Sequence, residues 1–155
     1  MRSIYTSFIV LFFLTQTVAQ SNKDQTQMLH EAQDILYYQP DEALKIAAHL
    51  IQNSDNNSLR IEAFLLEAAS NYAMGNFNSA IKAYVEAKKL AEATNDIPKR
   101  VKVSASSFLL LNQLGLNIVA EEYSLRTKAE ANYTKSFPLN NYLEGSAALI
   151  SANKA

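Results

Sequence analysis

The sequence predicts an all-α protein, and three observations support this fold class. The chain has three Gly and three Pro in 155 residues, which is too few turn formers for a β-rich protein. Apolar residues recur at spacings of three and four, as in Ala43, Ile46, Ala47, Leu50 and Ile51. Spacing of this kind is typical of an amphipathic helix, and no segment shows the alternation of a strand.

Composition excludes several classes of function. With 14 Lys+Arg against 15 Asp+Glu, the net charge is −1, so there is no long-range field to attract nucleic acid or an anionic membrane. The chain contains no Cys, which excludes disulfide scaffolds, thiolate metal sites and thiol catalysis. Hydrophobic residues make up 48% and charged residues 19%, as in an ordinary folded domain.

The N-terminus has the pattern of a secretory signal peptide. Arg2 precedes a continuous apolar run at 8–14, and a polar stretch that ends in the small residues 17–19 follows it. A membrane anchor is the alternative, but polar residues interrupt the run on both sides and a spanning helix needs about 20 apolar residues. We therefore expect residues 1–19 to be removed, with cleavage after Ala19 or Gln20. The mature domain, 20–155, would be exported to the periplasm or secreted, with no stable membrane insertion.

Beyond the signal peptide, turn and capping residues divide the chain into segments. Pro40, Asp41 and Glu42 predict a helix start, with proline in the first turn and acids at the positive end of the helix dipole. The polar stretch 53–58 predicts a loop with several possible caps. Gly75 is suited to the left-handed conformation that ends a helix. These residues delimit the first half of the mature domain.

The second half is divided in the same way. Asp96 and Pro98 predict a helix start, Gly115 predicts a helix end, and residues 136–138 begin a last helix. The segments between these residues are about 12 to 20 residues long, a usual length for helices. The mature chain is therefore predicted to contain about seven helices joined by short loops.

The residues that mark helix ends and close packing also recur at a regular interval. Gly75 and Gly115 are 40 residues apart, and so are Ala80 and Ala120. A helix pair that recurs at such a period indicates a solenoid of stacked helical hairpins. The predicted hairpins cover about 25–53, 58–94 and 97–133, and a terminal helix covers 139–154.

One segment resembles the second half of a tetratricopeptide repeat. Gly75, Phe77, Ala80, Tyr84 and Ala87 match, in order, the family's glycine, aromatic, small, aromatic and small positions. The resemblance implies a right-handed α-solenoid in which alanines allow close helix packing while Phe77 and Tyr84 fill the space between hairpins. It also implies polypeptide binding on a concave face. Exported arrays of this kind resemble the N-terminal sensor regions of bacterial membrane-bound regulators.

The match is uneven along the chain. Glu67 and Asn71 replace the usual Leu and Tyr, and the period of 40 exceeds the family's usual 34. The following repeat keeps Gly115 and Ala120, but its aromatic positions are occupied by residues that are not aromatic. A generic helical bundle is therefore the alternative fold.

The resemblance also indicates which residues would form the binding face. Five positions of the first helix of each hairpin face the concave side in this family. They correspond here to Glu62, Leu65, Ala69, Tyr72 and Ala73, and in the next hairpin to Lys102, Ala105, Leu109, Asn112 and Gln113.

From this set the candidate partner-binding residues are Leu65, Tyr72, Leu109, Asn112 and Gln113. In this family, a Lys and an Asn at two of these positions bind the carboxylate tails of partners. Apolar residues occupy those positions here, so a partner of that class is not expected. The alternative is that the apolar residues pack against a neighbouring helix or against 139–154.

Residues with catalytic or metal-binding chemistry are sparse. His30 and His49 lie on different predicted helices without a partner at ligand spacing, and Glu121 and Glu122 point about 100° apart on a helix. The basic run 99–102 is short and is interpreted as a helix face, not as a nucleic-acid patch. The sequence thus favours a non-enzymatic protein without metal or cofactor.

Its partner would be a protein or peptide, not nucleic acid. Two alternatives remain. One is an extracytoplasmic sensor fragment of a truncated bacterial signalling regulator. The other is a hydrolase or carbohydrate binder, for which the sequence offers no convergent carboxylates at recognisable spacing.

Overall fold

The computed structural model describes residues 23–116, which form five helices and no strand. Helix α1 covers 23–35, and it is followed by α2 (Pro40–Asn53), α3 (Asn57–Ala73), α4 (Phe77–Ala93) and α5 (Ile97–Gln113). The all-α prediction is confirmed for these residues. Four predictions concern residues outside the described range: the signal peptide 1–19 with its cleavage site, Glu121–Glu122, the second helix of the third hairpin, and the helix 139–154.

The N-terminal ends of the helices follow the capping residues of the sequence. Helix α2 begins at Pro40, with two acidic residues in its first turn. At the start of α3, the side-chain oxygen of Asn56 accepts hydrogen bonds from the backbone N–H groups of Ser58 (2.9 Å) and Leu59 (3.3 Å). At the start of α5, Asp96 accepts one from the N–H of Lys99 at 3.0 Å. These caps satisfy N–H groups that have no partner within the helix.

Two glycines end α3 and α5 in the same way. Gly75 and Gly115 have φ angles of 78° and 75°, in the left-handed region where a Cβ atom is unfavourable. After Gly75 the N–H of Asn76 donates to the carbonyl oxygen of Asn71 at 2.8 Å, and after Gly115 the N–H of Leu116 bonds five residues back at 2.9 Å. Both ends are Schellman motifs, so the helix-ending role predicted for these glycines is confirmed.

Helix α3 lies between two apolar clusters. One of its faces joins α1 and α2 in a cluster that contains Leu29, Ala32, Leu36, Ala43, Ala47, Leu50, Leu59, Ala63 and Leu66. Another face joins α4 and α5 in a cluster that contains Ile61, Leu65, Ala87, Ala91 and Val103. The described helices therefore pack in sequence along the chain, with α3 shared by both clusters.

Helix α4 approaches its neighbours closely because its buried face consists of alanine. Ala80, Ala83, Ala87 and Ala91 are its buried residues, and each is at most 4% exposed. Small side chains allow two helix backbones to come near each other. The contact between α3 and α4 is accordingly the most extensive of any helix pair for which both helices are fully described.

One of the two aromatic residues of α4 departs from the expected arrangement. Phe77 is 44% exposed, and its ring lies against Tyr72 with the ring centroids 5.6 Å apart. It therefore covers the α3–α4 turn of its own hairpin, and the prediction that it fills the space between hairpins is wrong. Tyr84 is only half-buried, although it packs against the second cluster.

Candidate functional site

Helices α3 and α5 share two cavities. Their first turns line one of them together with residues of α1, and their middle and C-terminal turns line the other together with the turn after α1 and one residue of α4. We call the surface that carries both cavities the three-helix face. It contains the first helix of each predicted hairpin.

The cavity at the C-terminal end, here called the apolar groove, has a volume of about 660 Å³. A ligand pocket usually measures about 300–1,000 Å³, so the groove is large enough to hold several side chains. Within residues 23–116, none of the residues that line it is charged. They are Leu36, Tyr37, Leu65, Ala69, Tyr72, Ala73, Tyr84, Ser106, Leu109, Leu110 and Gln113.

Four of the five candidate binding residues line this groove. Leu65 is nearly buried at 8% exposure, Tyr72 and Leu109 are half-buried, and Gln113 is exposed. They therefore run from the floor of the groove to its rim. The fifth, Asn112, is half-buried and does not contribute to the lining. The structure thus brings together residues of α3 and α5, while their role in binding a partner stays a prediction.

The sequence pattern did not predict that residues outside α3 and α5 also line the apolar groove. Tyr37, in the turn after α1, is 83% exposed and lines the groove, together with Leu36 beside it. Tyr84 reaches the groove from α4. The available signal was the pair Tyr37–Tyr38 directly before the predicted helix start, since aromatic residues are uncommon in a solvated turn.

The second cavity, here called the polar cavity, has a volume of about 310 Å³. Unlike the apolar groove, its lining among the described residues includes charged side chains. These residues are Thr26, Leu29, His30 and Gln33 from α1, Asn56, Ser58, Leu59 and Glu62 from α3 with its cap, and Lys99 and Lys102 from α5.

A bridge of two ion pairs crosses this cavity. Lys99 donates to Oε1 of Glu62, and Lys102 donates to Oε2 of Glu62 at 2.7 Å. The side chain of Glu62 is 12% exposed, whereas that of Lys102 is 49% exposed. The basic run 99–102 lies on helix α5, as expected, and its two lysines are paired with Glu62 while Val101 within it is fully buried.

The surroundings of Glu62 lower the pKa of its carboxyl group. Burial on its own raises the pKa of Glu62, but hydrogen bonds and charge attraction from Lys102 and Lys99 outweigh burial, and the pKa lies below the ordinary value of 4.5. The folded state therefore favours the ionised carboxylate. Since a lowered pKa in the folded state is linked to stability, Glu62 stabilises the fold above its unfolded-state pKa.

A pH-dependent loss of stability follows from this linkage. We expect Glu62→Gln to lower the free energy of unfolding by about 1–2 kcal/mol at neutral pH, because hydrogen bonds between charged groups are lost. The difference from the parent should shrink as the pH falls from 4.5 to the lowered pKa of folded Glu62, because the unfolded chain binds the proton first and the folded carboxylate binds it only below that pKa. Urea unfolding at several pH values measures this difference.

The control is Glu86→Gln, which removes an exposed pair with Lys89 inside α4. Surface pairs of this kind contribute about 0.3–0.5 kcal/mol, so this variant should remain close to the parent. A difference for Glu62→Gln that stays constant from neutral to acidic pH would contradict the assignment of the ionised carboxylate.

Neither histidine forms part of a metal-binding group in the structure. His30 is exposed and lines the polar cavity, and His49 is exposed beside Asn53, with 3.2 Å between its Nδ1 and the amide nitrogen. Within residues 23–116 there is no group of three or more His, Asp or Glu that could hold a metal ion.

Comparisons of the chain with protein-family models, with curated proteins and with solved structures find no match. None of the helices in residues 23–116 is both long and apolar enough to cross a bilayer. Functional inference therefore depends on the geometry of the three-helix face.

Proposed function

We propose that this chain is a non-catalytic, exported scaffold that binds a polypeptide segment in the apolar groove. The observation that carries the proposal is the convergence of Leu65, Tyr72, Leu109 and Gln113 on one uncharged groove between α3 and α5. These residues belong to two helices that are not consecutive along the chain. An apolar groove with a few polar groups at its edge is a common form of peptide-binding site.

The chemistry of the lining indicates how such a segment would be held. Leu65 and Leu109 offer apolar surface to an aliphatic or aromatic side chain of the partner. The hydroxyl of Tyr72 and the amide of Gln113 can hydrogen-bond to its backbone. A charged side chain would lose its hydration without gaining an opposite charge, so the segment inside the groove should be uncharged.

The larger fold that we propose is a right-handed, tetratricopeptide-like solenoid of about seven helices. Two features support it: α3 and α5 line a common cavity near their N-terminal ends and another near their C-terminal ends, and the helix ends at Gly75 and Gly115, which are 40 residues apart, are identical. A face built from the first helix of successive hairpins is the concave surface of such a solenoid. The pattern of residues 1–19 supports export.

The proposal is tested with a double variant in the groove. A phage-displayed library of random 12-residue peptides is selected on the full chain, and the affinity of the selected peptide is measured by fluorescence anisotropy. Replacing Tyr72 and Leu109 by Ser should weaken that affinity about 30-fold or more, the effect of losing a binding hot spot. The melting temperature should change little, since both side chains are half-buried.

The control is Val85→Ser on α4, a similar loss of an apolar side chain that is 40% exposed and outside the groove. It should bind the peptide as the parent does. A fall of several degrees in the melting temperature of the double variant would assign Tyr72 and Leu109 to the core. Failure to select any peptide above background would also contradict the proposal.

A further inference from the structure

The polar cavity and the apolar groove lie at opposite ends of the same helix pair. Glu62 and the two lysines tie α3 to α5 near their N-terminal ends, and the groove opens between the same helices near their C-terminal ends. Direct packing between α3 and α5 is much less extensive than that between α3 and α4. The ion bridge is therefore placed to influence how these two helices lie relative to each other.

The geometry of the bridge restricts more than one degree of freedom. Lys99 and Lys102 are three residues apart on α5, so their side chains leave the same face of the helix. Each bonds a different oxygen of one nearly buried carboxylate. Two donors on two oxygens fix the carboxylate of α3 in both position and direction against the first turns of α5.

A constraint at one end of a helix pair acts at the other end because helices are stiff. From Glu62 to Tyr72 the axis of α3 rises about 15 Å, and from Lys102 to Leu109 the axis of α5 rises about 10 Å. A small change of angle at the bridge thus changes the separation of the groove walls.

We propose that the bridge of Glu62 with Lys99 and Lys102 sets the separation of α3 and α5, and thereby the width of the apolar groove. The half-exposed position of Lys102 makes this width sensitive to ionic strength, because salt screens exposed pairs more than buried ones. This inference concerns the shape of the groove and does not require that the groove bind a peptide.

The absence of Cys from the sequence makes a direct distance measurement simple. Ala73→Cys and Gln113→Cys place two spin labels at exposed positions on the groove walls, one at the end of α3 and one at the end of α5. Dipolar EPR spectra of the full chain then report the separation of the walls. We expect Glu62→Gln and Lys102→Gln to increase that separation by about 1–2 Å, the size of typical helix shifts.

Two further measurements distinguish the effect of losing the bridge from a general effect of removing a charge. Glu86→Gln, which removes an exposed pair within α4, should leave the separation as in the parent. Raising the salt concentration from 0.05 M to about 1 M should widen the groove of the parent but not that of Glu62→Gln, which has no bridge to screen.

The proposal is overturned if both variants keep the parental separation while circular dichroism shows that they are folded. It is also overturned if Glu62→Gln responds to salt as strongly as the parent does. If Glu62→Gln fails to fold, Lys102→Gln decides the question, since it retains the bond between Lys99 and Glu62.

Discussion

Replacing Leu50 by Ala should lower the free energy of unfolding by about 2–5 kcal/mol. Leu50 is fully buried at 0% exposure, and it belongs to the apolar cluster that joins α1, α2 and α3. Truncation removes apolar surface from that cluster and leaves a cavity that the surrounding helices fill only in part. The urea midpoint measures the loss.

The matched control is Val85→Ala, a truncation at a site on α4 that is 40% exposed. It should change stability by less than about 0.5 kcal/mol, as surface substitutions usually do. If Leu50→Ala has a midpoint equal to that of the control, the first cluster does not contribute to cooperative folding, and the packing of α2 on α1 and α3 would need revision.

The limits of the helices could be predicted from the sequence because capping is local. Pro40 begins α2, Asp96 caps α5, and the two glycines end their helices with positive φ. Each of these residues acts on backbone groups at most five positions away. The information for a helix boundary is therefore contained in a short window, which sequence inspection reads directly.

The ion bridge could not be predicted in the same way because it is a tertiary contact. The sequence pattern assigned Glu62 and Lys102 to the concave face and the basic run around Lys102 to a helix face, but it did not predict that the two residues pair. The overlooked signal is their spacing: Glu62 and Lys102 are 40 residues apart, the same interval as between Gly75 and Gly115. Equivalent positions in successive hairpins become neighbours when hairpins stack.

The exposure of Phe77 shows a different limit of sequence reasoning. The motif places an aromatic residue two positions after the glycine, but burial depends on whether another element covers that position. Here Phe77 contacts Tyr72 of its own hairpin and remains 44% exposed. A motif position thus predicts which residue type is present more reliably than which surface that residue contacts.

Replacing Ala80 by Leu should destabilise the chain by about 2–3 kcal/mol, near the upper end of the usual cost of overpacking. Ala80 is 0% exposed and lies on the alanine face of α4. Three additional carbon atoms at this site require α4 to move away from its neighbours, because the interior has no free volume to hold them. The urea midpoint and the thermal midpoint should both fall.

Ala93→Leu provides the matched control, since Ala93 is an exposed alanine of the same helix. The same addition of carbon atoms should there change stability by less than about 0.5 kcal/mol. The difference between the two variants isolates the cost of close packing from any change in helix propensity, because both replace Ala by Leu within α4. Equal midpoints for Ala80→Leu and Ala93→Leu would show that the alanine face does not hold α4 close to its neighbours.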